Sequence, residues 1–418
     1  MRQDTRNLVY LKECRPLRMI IVLSVLLTSS ATVSASPSPA TPIAFVPGRI
    51  ALDTAMQEQW LPLITTRSGG PVVTIELNGQ PVKALVDTGM PTMTLDAGWA
   101  AAHTVPSQPN GFVDNLGGGE AQVGIAPVDT LQIGGVLQTG GAIQVADLSG
   151  ISQVAGITIE GIVGADFLSR QAVEIDFDTG RIRFRPSGAT PPAGVRMPLR
   201  LRERGKRLLT AITVSGGRKE KRLDPVLIDT GDDSSLAITR AAWPDAASEL
   251  RLTDIAAMNM GGTIYRTDVA RLNGVQLGGQ TTDAVPTRFE DKPLDAGDAA
   301  RIGSELLTRF NVFMDVRAGV MVLSPRRSAP APARVTMAGI QGVWSDAGIQ
   351  LLHVMRGSPA QELGLAAGDR ICTIDGERVT AAAQNGPLGK WSHGPAGKVV
   401  KLGMCNGSDL SLTLREFY

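Results

Sequence analysis

The chain is poor in cysteine, histidine and aromatic residues and carries almost no net charge. Its three histidines (His103, His353 and His393) and three cysteines (Cys14, Cys372 and Cys405) stand at no metal-ligand spacing, so zinc chemistry has no basis in the sequence. A net charge of +1 over 418 residues argues against nucleic acid or an acidic membrane surface as a partner. The basic stretches Arg196 to Arg207 and Arg218 to Arg222 read as solvated strand edges and a hairpin tip. The N-terminal apolar run, Met19 to Leu27, is nine residues long and too short to span a bilayer. Aromatics make up 4% of the chain, against 47 glycines and 26 prolines, a balance that suggests many short Val/Ile/Leu strands joined by turns. A chain of 418 residues is also too long for one ordinary core.

What the chain does have is repetition. Asp87-Thr88-Gly89 and Asp229-Thr230-Gly231 each end an apolar strand-like run, Ala84-Leu85-Val86 and Val226-Leu227-Ile228. Leu131-Gln132-Ile133-Gly134-Gly135 follows the first, its Gly134 47 residues after Asp87; Val275-Gln276-Leu277-Gly278-Gly279 follows the second, its Gly278 49 residues after Asp229. Gly161-Ile162-Val163-Gly164 then matches Ala300-Arg301-Ile302-Gly303, with Gly164 and Gly303 falling 77 and 74 residues after their aspartates. Twelve residues beyond each glycine come Asp176 and Asp315, in strand-turn-strand segments with Gly180 and Gly319 at the turns. The chain therefore holds two copies of one unit. A hairpin signal, Val72 to Leu77, Asn78-Gly79, Val82 to Val86, runs directly into Asp87; its counterpart is Leu208 to Val214, a longer turn, then Val226 to Ile228.

One aspartate per copy, at a strand end, points to chemistry. Two carboxyls brought face to face by a pseudo-twofold axis cannot both ionise, so they share a proton and divide the roles of base and acid. Here the sequence resembles the pepsin and retropepsin superfamily of aspartic proteases, whose signature is apolar-apolar-Asp-Thr-Gly in each lobe and a later apolar-apolar-Gly; the resemblance covers roughly Leu61 to Pro325. It implies a mainly β, bilobal acid-protease-like double β-barrel with lobe 1 over 61–190 and lobe 2 over 195–325. It also implies Asp87 and Asp229 as catalytic dyad, Thr88 and Thr230 cross-bracing the loops beneath it, and Gly89 and Gly231 allowing the tight turns.

A third Asp-Thr-Gly, Asp178 to Gly180, sits inside alternating segments on both sides and reads as a solvent-edged structural hairpin. After Asp-Thr-Gly the pepsin-like branch usually has Ser or Thr; this chain has Met90, like the small apolar residue of retropepsins, and Asp232. Asp232 and Asp233 add two carboxyls near Asp229, which by like-charge repulsion favours a protonated dyad; the alternative is that both face solvent or cap a turn. Glycine-rich segments stand where flaps are expected, with Gly117, Gly118 and Gly119 in the first copy and Gly261 and Gly262, near Tyr265, in the second. The first copy has no tyrosine there, so retropepsin-like flaps from both lobes fit better than a pepsin-like one.

Residues 1–35 read as a signal peptide, with basic residues up to Arg18, the apolar run, and Val33-Ser34-Ala35 as cleavage site, and 36–60 as an N-terminal segment. The expected location is periplasmic or secreted, an uncleaved membrane anchor being the alternative. Residues 326–334 form a Pro/Ala-rich linker expected to be extended and unpacked. Beyond it Gly357-Ser358-Pro359-Ala360, Gly364-Leu365, Gly368-Asp369 and Ile374-Asp375-Gly376 resemble a bacterial-type PDZ domain over 335–418, expected to fold alone. Cys372 and Cys405 either pair in an oxidising compartment or remain two buried thiols.

These readings combine into an exported aspartic endopeptidase, monomeric because both lobes share one chain, with peptide or unfolded protein as substrate and no metal or cofactor. The PDZ domain would recruit or orient substrate and bind a peptide ligand of its own. The rival reading is a non-catalytic bilobed peptide-binding or scaffold protein acting through its PDZ domain.

Overall fold

The computed structural model describes residues 48–418 except 54, 57, 115–119, 204–205, 217–219, 259–263, 293–296 and 329–335. The protein is mainly β. The signal segment and the flap glycines Gly117, Gly118, Gly119, Gly261 and Gly262 lie outside the described residues.

The strand that carries Asp87 is built by its own hairpin. Pro71–Leu77 alternates buried and exposed over its second half and pairs antiparallel with Gln80–Val86, Val72 opposite Leu85. Asn78 and Gly79 both take positive φ, 48° and 77°, as a two-residue turn matching strand twist requires. Beyond the turn the strand enters the interior, and Ala84, Leu85 and Val86 are all buried.

The repeat in the sequence becomes a repeat in pairing. Gln80–Val86 lies parallel to Gly161–Val163, which is antiparallel to Thr94–Asp96, which is parallel to Ala142–Ala146, which is antiparallel to Glu120–Pro127. The second copy repeats each step: Glu220–Ile228 is parallel to Ala300–Ile302, then follow Leu236–Thr239 antiparallel, Val285–Glu290 parallel and Ile264–Leu277 antiparallel. Gly161–Val163 and Ala300–Ile302, each with a strand on both sides, are buried throughout. Each arrangement ends in a hairpin, Gln108–Asp114 with Glu120–Pro127 and Thr253–Met258 with Ile264–Leu277. The copies join where Ala172–Asp176 pairs antiparallel with Phe310–Asp315, Ala172 opposite Asp315 and Ile175 opposite Val312. One apolar cluster runs through both, from Val86 and Phe167 to Ile228 and Phe289.

Two expectations change. The hairpin of the third Asp-Thr-Gly is not solvent-edged, because Ala172–Asp176 has a strand on each side and Arg181–Arg185 also pairs with Leu61–Thr65. Nor does the start of the linker stand free. Arg326 donates to the carbonyls of Thr308 and Phe177, and the backbone N–H groups of Arg327 and Ser328 reach the Asp178 carboxylate.

The C-terminal unit forms its own sheet, Ile340–Ser345, Gly348–Val354, Arg370–Ile374, Val399–Met404 and Asp409–Thr413 in spatial order, with Glu377–Arg378 beside Arg370–Ile374. Ser358 caps the helix Pro359–Glu362 by accepting from the Gln361 N–H, with Pro359 at its first position. Cys372 and Cys405 are disulfide-bonded, their Cα atoms 5.0 Å apart. This unit has its own core, yet it also packs on the second copy's hairpin. Ile255 and Val269 cluster with Met355, Phe417 and Tyr418. The Gln341 side-chain amide accepts from the Ala256 N–H at 2.7 Å and donates to its carbonyl at 3.0 Å, as a neighbouring strand would. Thr253 Oγ1 donates to the Arg356 carbonyl, and Arg356 pairs with Asp268.

Candidate active site

Each Asp-Thr-Gly leaves a buried strand end, so its direction is fixed from behind. The Asp87 N–H bonds the Val163 carbonyl and the Asp229 N–H the Ile302 carbonyl, at 3.0 and 2.9 Å. Glycines hold the loops from the side. Gly164 lies against the backbone of Thr92 and Met93, Gly303 against that of Asp232 and Ser234, and no Cβ fits at either. The following N–H groups, of Ala165 and Ser304, donate to Met90 and Asp232 carbonyls at 2.8 Å in both cases. The two matched glycines of the sequence are therefore the points at which a strand-to-helix corner touches the aspartate loop.

Beneath the loops the two threonines exchange bonds across the pseudo-twofold axis. The Thr88 N–H donates to Thr230 Oγ1 at 3.1 Å, the Thr230 N–H to Thr88 Oγ1 at 3.0 Å. Thr88 Oγ1 donates to the Ile228 carbonyl and Thr230 Oγ1 to that of Val86, at 2.7 and 2.6 Å. Both residues are buried, so these bonds stand without competing water and leaving one unmade would cost about 1–3 kcal/mol.

Above the brace the carboxyls meet. Oδ1 of Asp87 accepts from the N–H groups of Gly89 and Met90; Oδ1 of Asp229 accepts from those of Gly231 and Asp232. A Cβ at Gly89 would collide with the Asp229 carboxylate, and one at Gly231 with that of Asp87. Glycine is required here by the other repeat's carboxyl, and not by the turn that the sequence suggested, since neither residue takes a positive φ. Burial raises the pKa of both carboxyls above the ordinary carboxylate value. For Asp229 the negative charges of Asp87 and Asp232 raise it further, against the pull of Arg301.

Asp232 does not face solvent. Its side chain is 7% exposed, caps the turn by accepting from the Ser234 N–H, and is ion-paired with Arg301 and Arg288. Burial alone would raise its pKa, but the two guanidinium groups outweigh burial and bring it to about 2. It is thus an anion beside the dyad that also caps the turn, as the alternative reading had it. Asp233 is half-exposed and pairs with Arg288 at 2.8 Å.

Four residues of the site escape the sequence reading. Arg301 and Glu290, both buried, form an ionic cluster with Asp232 and the partly buried Arg288, and Arg301 Nε lies 3.7 Å from Asp229 Oδ2. The fourth, Arg207, belongs to a stretch read as a solvated edge; its side chain instead donates to the Gly89 carbonyl. Arg301 had a signal: it is the one charged residue in an otherwise apolar motif, where the first copy has Ile162. Tyr265, opposite Ala257 near the turn end of the second hairpin, is partly buried, and burial foremost raises its hydroxyl to about 12. Beside it lies a cavity of 420 Å³ lined in part by Arg240, Asp268, Phe289, Glu290, Lys292 and Arg356. Among the described residues no group of three or more His, Cys, Asp or Glu is arranged to hold a metal ion.

Residues 73–167 match the family model described as aspartyl protease. The matched stretch contains Asp87, Gly164 and the first of the terminal hairpins, and the match supports an aspartic-protease-like domain and, in general terms, protease activity. No curated protein compared with the chain matches it.

Proposed function

We propose that the protein is an exported aspartic endopeptidase whose two lobes, 61–190 and 195–325, form a double β-barrel and each supply one catalytic aspartate. The observation that carries this reading is the meeting of Asp87 and Asp229 over the reciprocal threonine brace, each carboxyl against the other copy's glycine. In the proposed reaction the ionised member of the pair deprotonates a water as it attacks the peptide carbonyl. The protonated member hydrogen-bonds that oxygen and later passes its proton toward the leaving amine. The dyad titrates as a unit, and burial raises both carboxyls, which favours keeping a proton on the pair; this division of labour needs one.

The terminal hairpins Gln108–Asp114/Glu120–Pro127 and Thr253–Met258/Ile264–Leu277 support flaps from both lobes, with Tyr265 as the aromatic of the second. Export is supported by the N-terminal apolar run and by the Cys372–Cys405 disulfide, a bond that persists in oxidising compartments. A PDZ-like reading of 335–418 is supported by the capped helix Pro359–Glu362 between strands Gly348–Val354 and Arg370–Ile374. In this reading the unit steadies the second flap as well as recruiting substrate.

The test is digestion of a peptide library by the purified chain from pH 3 to 8, read by mass spectrometry, alongside the thermal shift given by a hydroxyl-bearing transition-state analogue. Cleavage with a raised Tm is expected. Neither, over the whole range, would leave the non-catalytic peptide-binding reading.

A further inference from the structure

The two halves of the site match in backbone and differ in charge. Two residues before each matched glycine, the first copy has Ile162, opposite Leu85, and the second has Arg301, opposite Leu227. Isoleucine buries without cost to the core; a buried guanidinium is retained only with partners. Arg301 has three. It pairs with Asp232, with Glu290 through two nitrogens at 2.9 and 3.2 Å, and approaches Asp229 at 3.7 Å.

Arg301 is held between Asp232 on the aspartate's own loop and Glu290 at the end of Val285–Glu290, and its side chain is 5% exposed. So fixed, its charge is set opposite one dyad carboxyl. We propose that Arg301 is a positioning residue of the dyad: it orients the Asp229 carboxyl and, as a fixed cation, offsets Asp232 so that the pair holds one proton in place of two. This rests on the dyad reading above. The groups facing the pair are Asp87 from the first copy; Asp232 and Asp233 from the second loop; Arg288 and Glu290 from Val285–Glu290; and Tyr265 from the hairpin. Glu305, from the helix Ser304–Leu307, faces Arg288, and Asp298 shares a small cavity wall with Arg301 and Glu290. Within this set Arg301 is the cation nearest Asp229, while Asp232 and Glu290 are the anions that hold it.

The charges give opposite signs to two variants. Arg301→Gln removes the cation nearest Asp229 and leaves Asp232 to Arg288 alone, so both limbs of the pH profile of kcat/KM should move up by about 1 pH unit or more. Glu290→Gln removes an anion and frees Arg301 toward Asp229, so the limbs should move down. The same shifts should appear in carboxyl-carbon NMR titrations of Asp-labelled protein, with Asp87→Asn and Asp229→Asn assigning the signals. Limbs that stay in place, or that move the same way in both variants, would overturn the proposal and leave Arg301 as a structural ion pair. Should Arg301→Gln fail to fold, the direction of the Glu290→Gln shift decides alone. If the wild-type chain cleaves nothing, the NMR titrations still decide this point, and the failure counts against the proposed activity only.

Discussion

At the scale of single residues the site is a set of carboxyls given opposite protonation tendencies by their surroundings. Asp87 and Asp229 are raised by burial; folding therefore favours their protonated forms, and the stability they allow is full below the ordinary carboxylate range and is lost as pH rises through the folded values. Asp87→Asn should accordingly melt above wild type at pH 7, with the gap closing by pH 3. Asp178 has the opposite sign. Burial would raise it, but bonds from the Arg327 N–H, Asn311, Arg326 and the Ser328 N–H prevail and bring it to about 2. Its contribution is present above the ordinary carboxylate range and lost as pH falls toward 2, so Asp178→Asn should lower Tm at pH 7 and leave cleavage unchanged. Differential scanning calorimetry over pH checks both, and equal, pH-independent offsets would contradict them. The aspartates, threonines and glycines of the site were legible because their spacing repeats. Among the cations Arg301 showed only as a lone charge in an apolar motif, and the partners were not legible, since an arginine in a strand looks the same whether it meets solvent or a buried carboxylate. Arg207 and Arg301 became site residues only through partners 118 and 69 positions away.

At the scale of elements the corner glycines do the positioning. The strand-glycine-helix corner at Ile302-Gly303-Ser304 leans on the loop that follows Asp229, and a side chain at Gly303 would meet the Ser234 carbonyl, which cannot move without the loop. Gly303→Ala should cost about 1–3 kcal/mol of stability by overpacking and lower kcat/KM by displacing Asp229. Gly319→Ala, at a hairpin turn away from the dyad, should cost stability through its positive φ of 71° while leaving kcat/KM intact. Urea unfolding and peptide turnover on both variants separate the two effects; equal losses of turnover would contradict the positioning role. Hairpins and caps were readable locally, as at Asn78-Gly79 and Ser358-Pro359. The central position of the Asp178 hairpin was not, because alternation over Val173 to Phe184 specifies one buried face but not a neighbour on the second edge.

At the scale of the molecule the C-terminal unit is fastened to the hairpin that carries Tyr265. Its removal would uncover Ile255 and Val269 and strip Ala256 of both hydrogen bonds to Gln341. A chain ending at Ser328 should therefore lose thermal stability and turn over short peptides more slowly, measured as kcat/KM on a cleaved library peptide. Unchanged short-peptide turnover would mean that the unit acts on whole-protein substrates alone. The linker composition suggested independence because Pro/Ala-rich sequence carries no record of what packs on either side of it. The central claim is that one active site is assembled from both copies. Its most direct measurement is the turnover of Asp87→Asn and Asp229→Asn, each folded by circular dichroism, on a peptide cleaved by wild type. The account predicts that each substitution alone abolishes cleavage, because an amide keeps the shape and cannot share the proton; near-normal turnover by either one would contradict it.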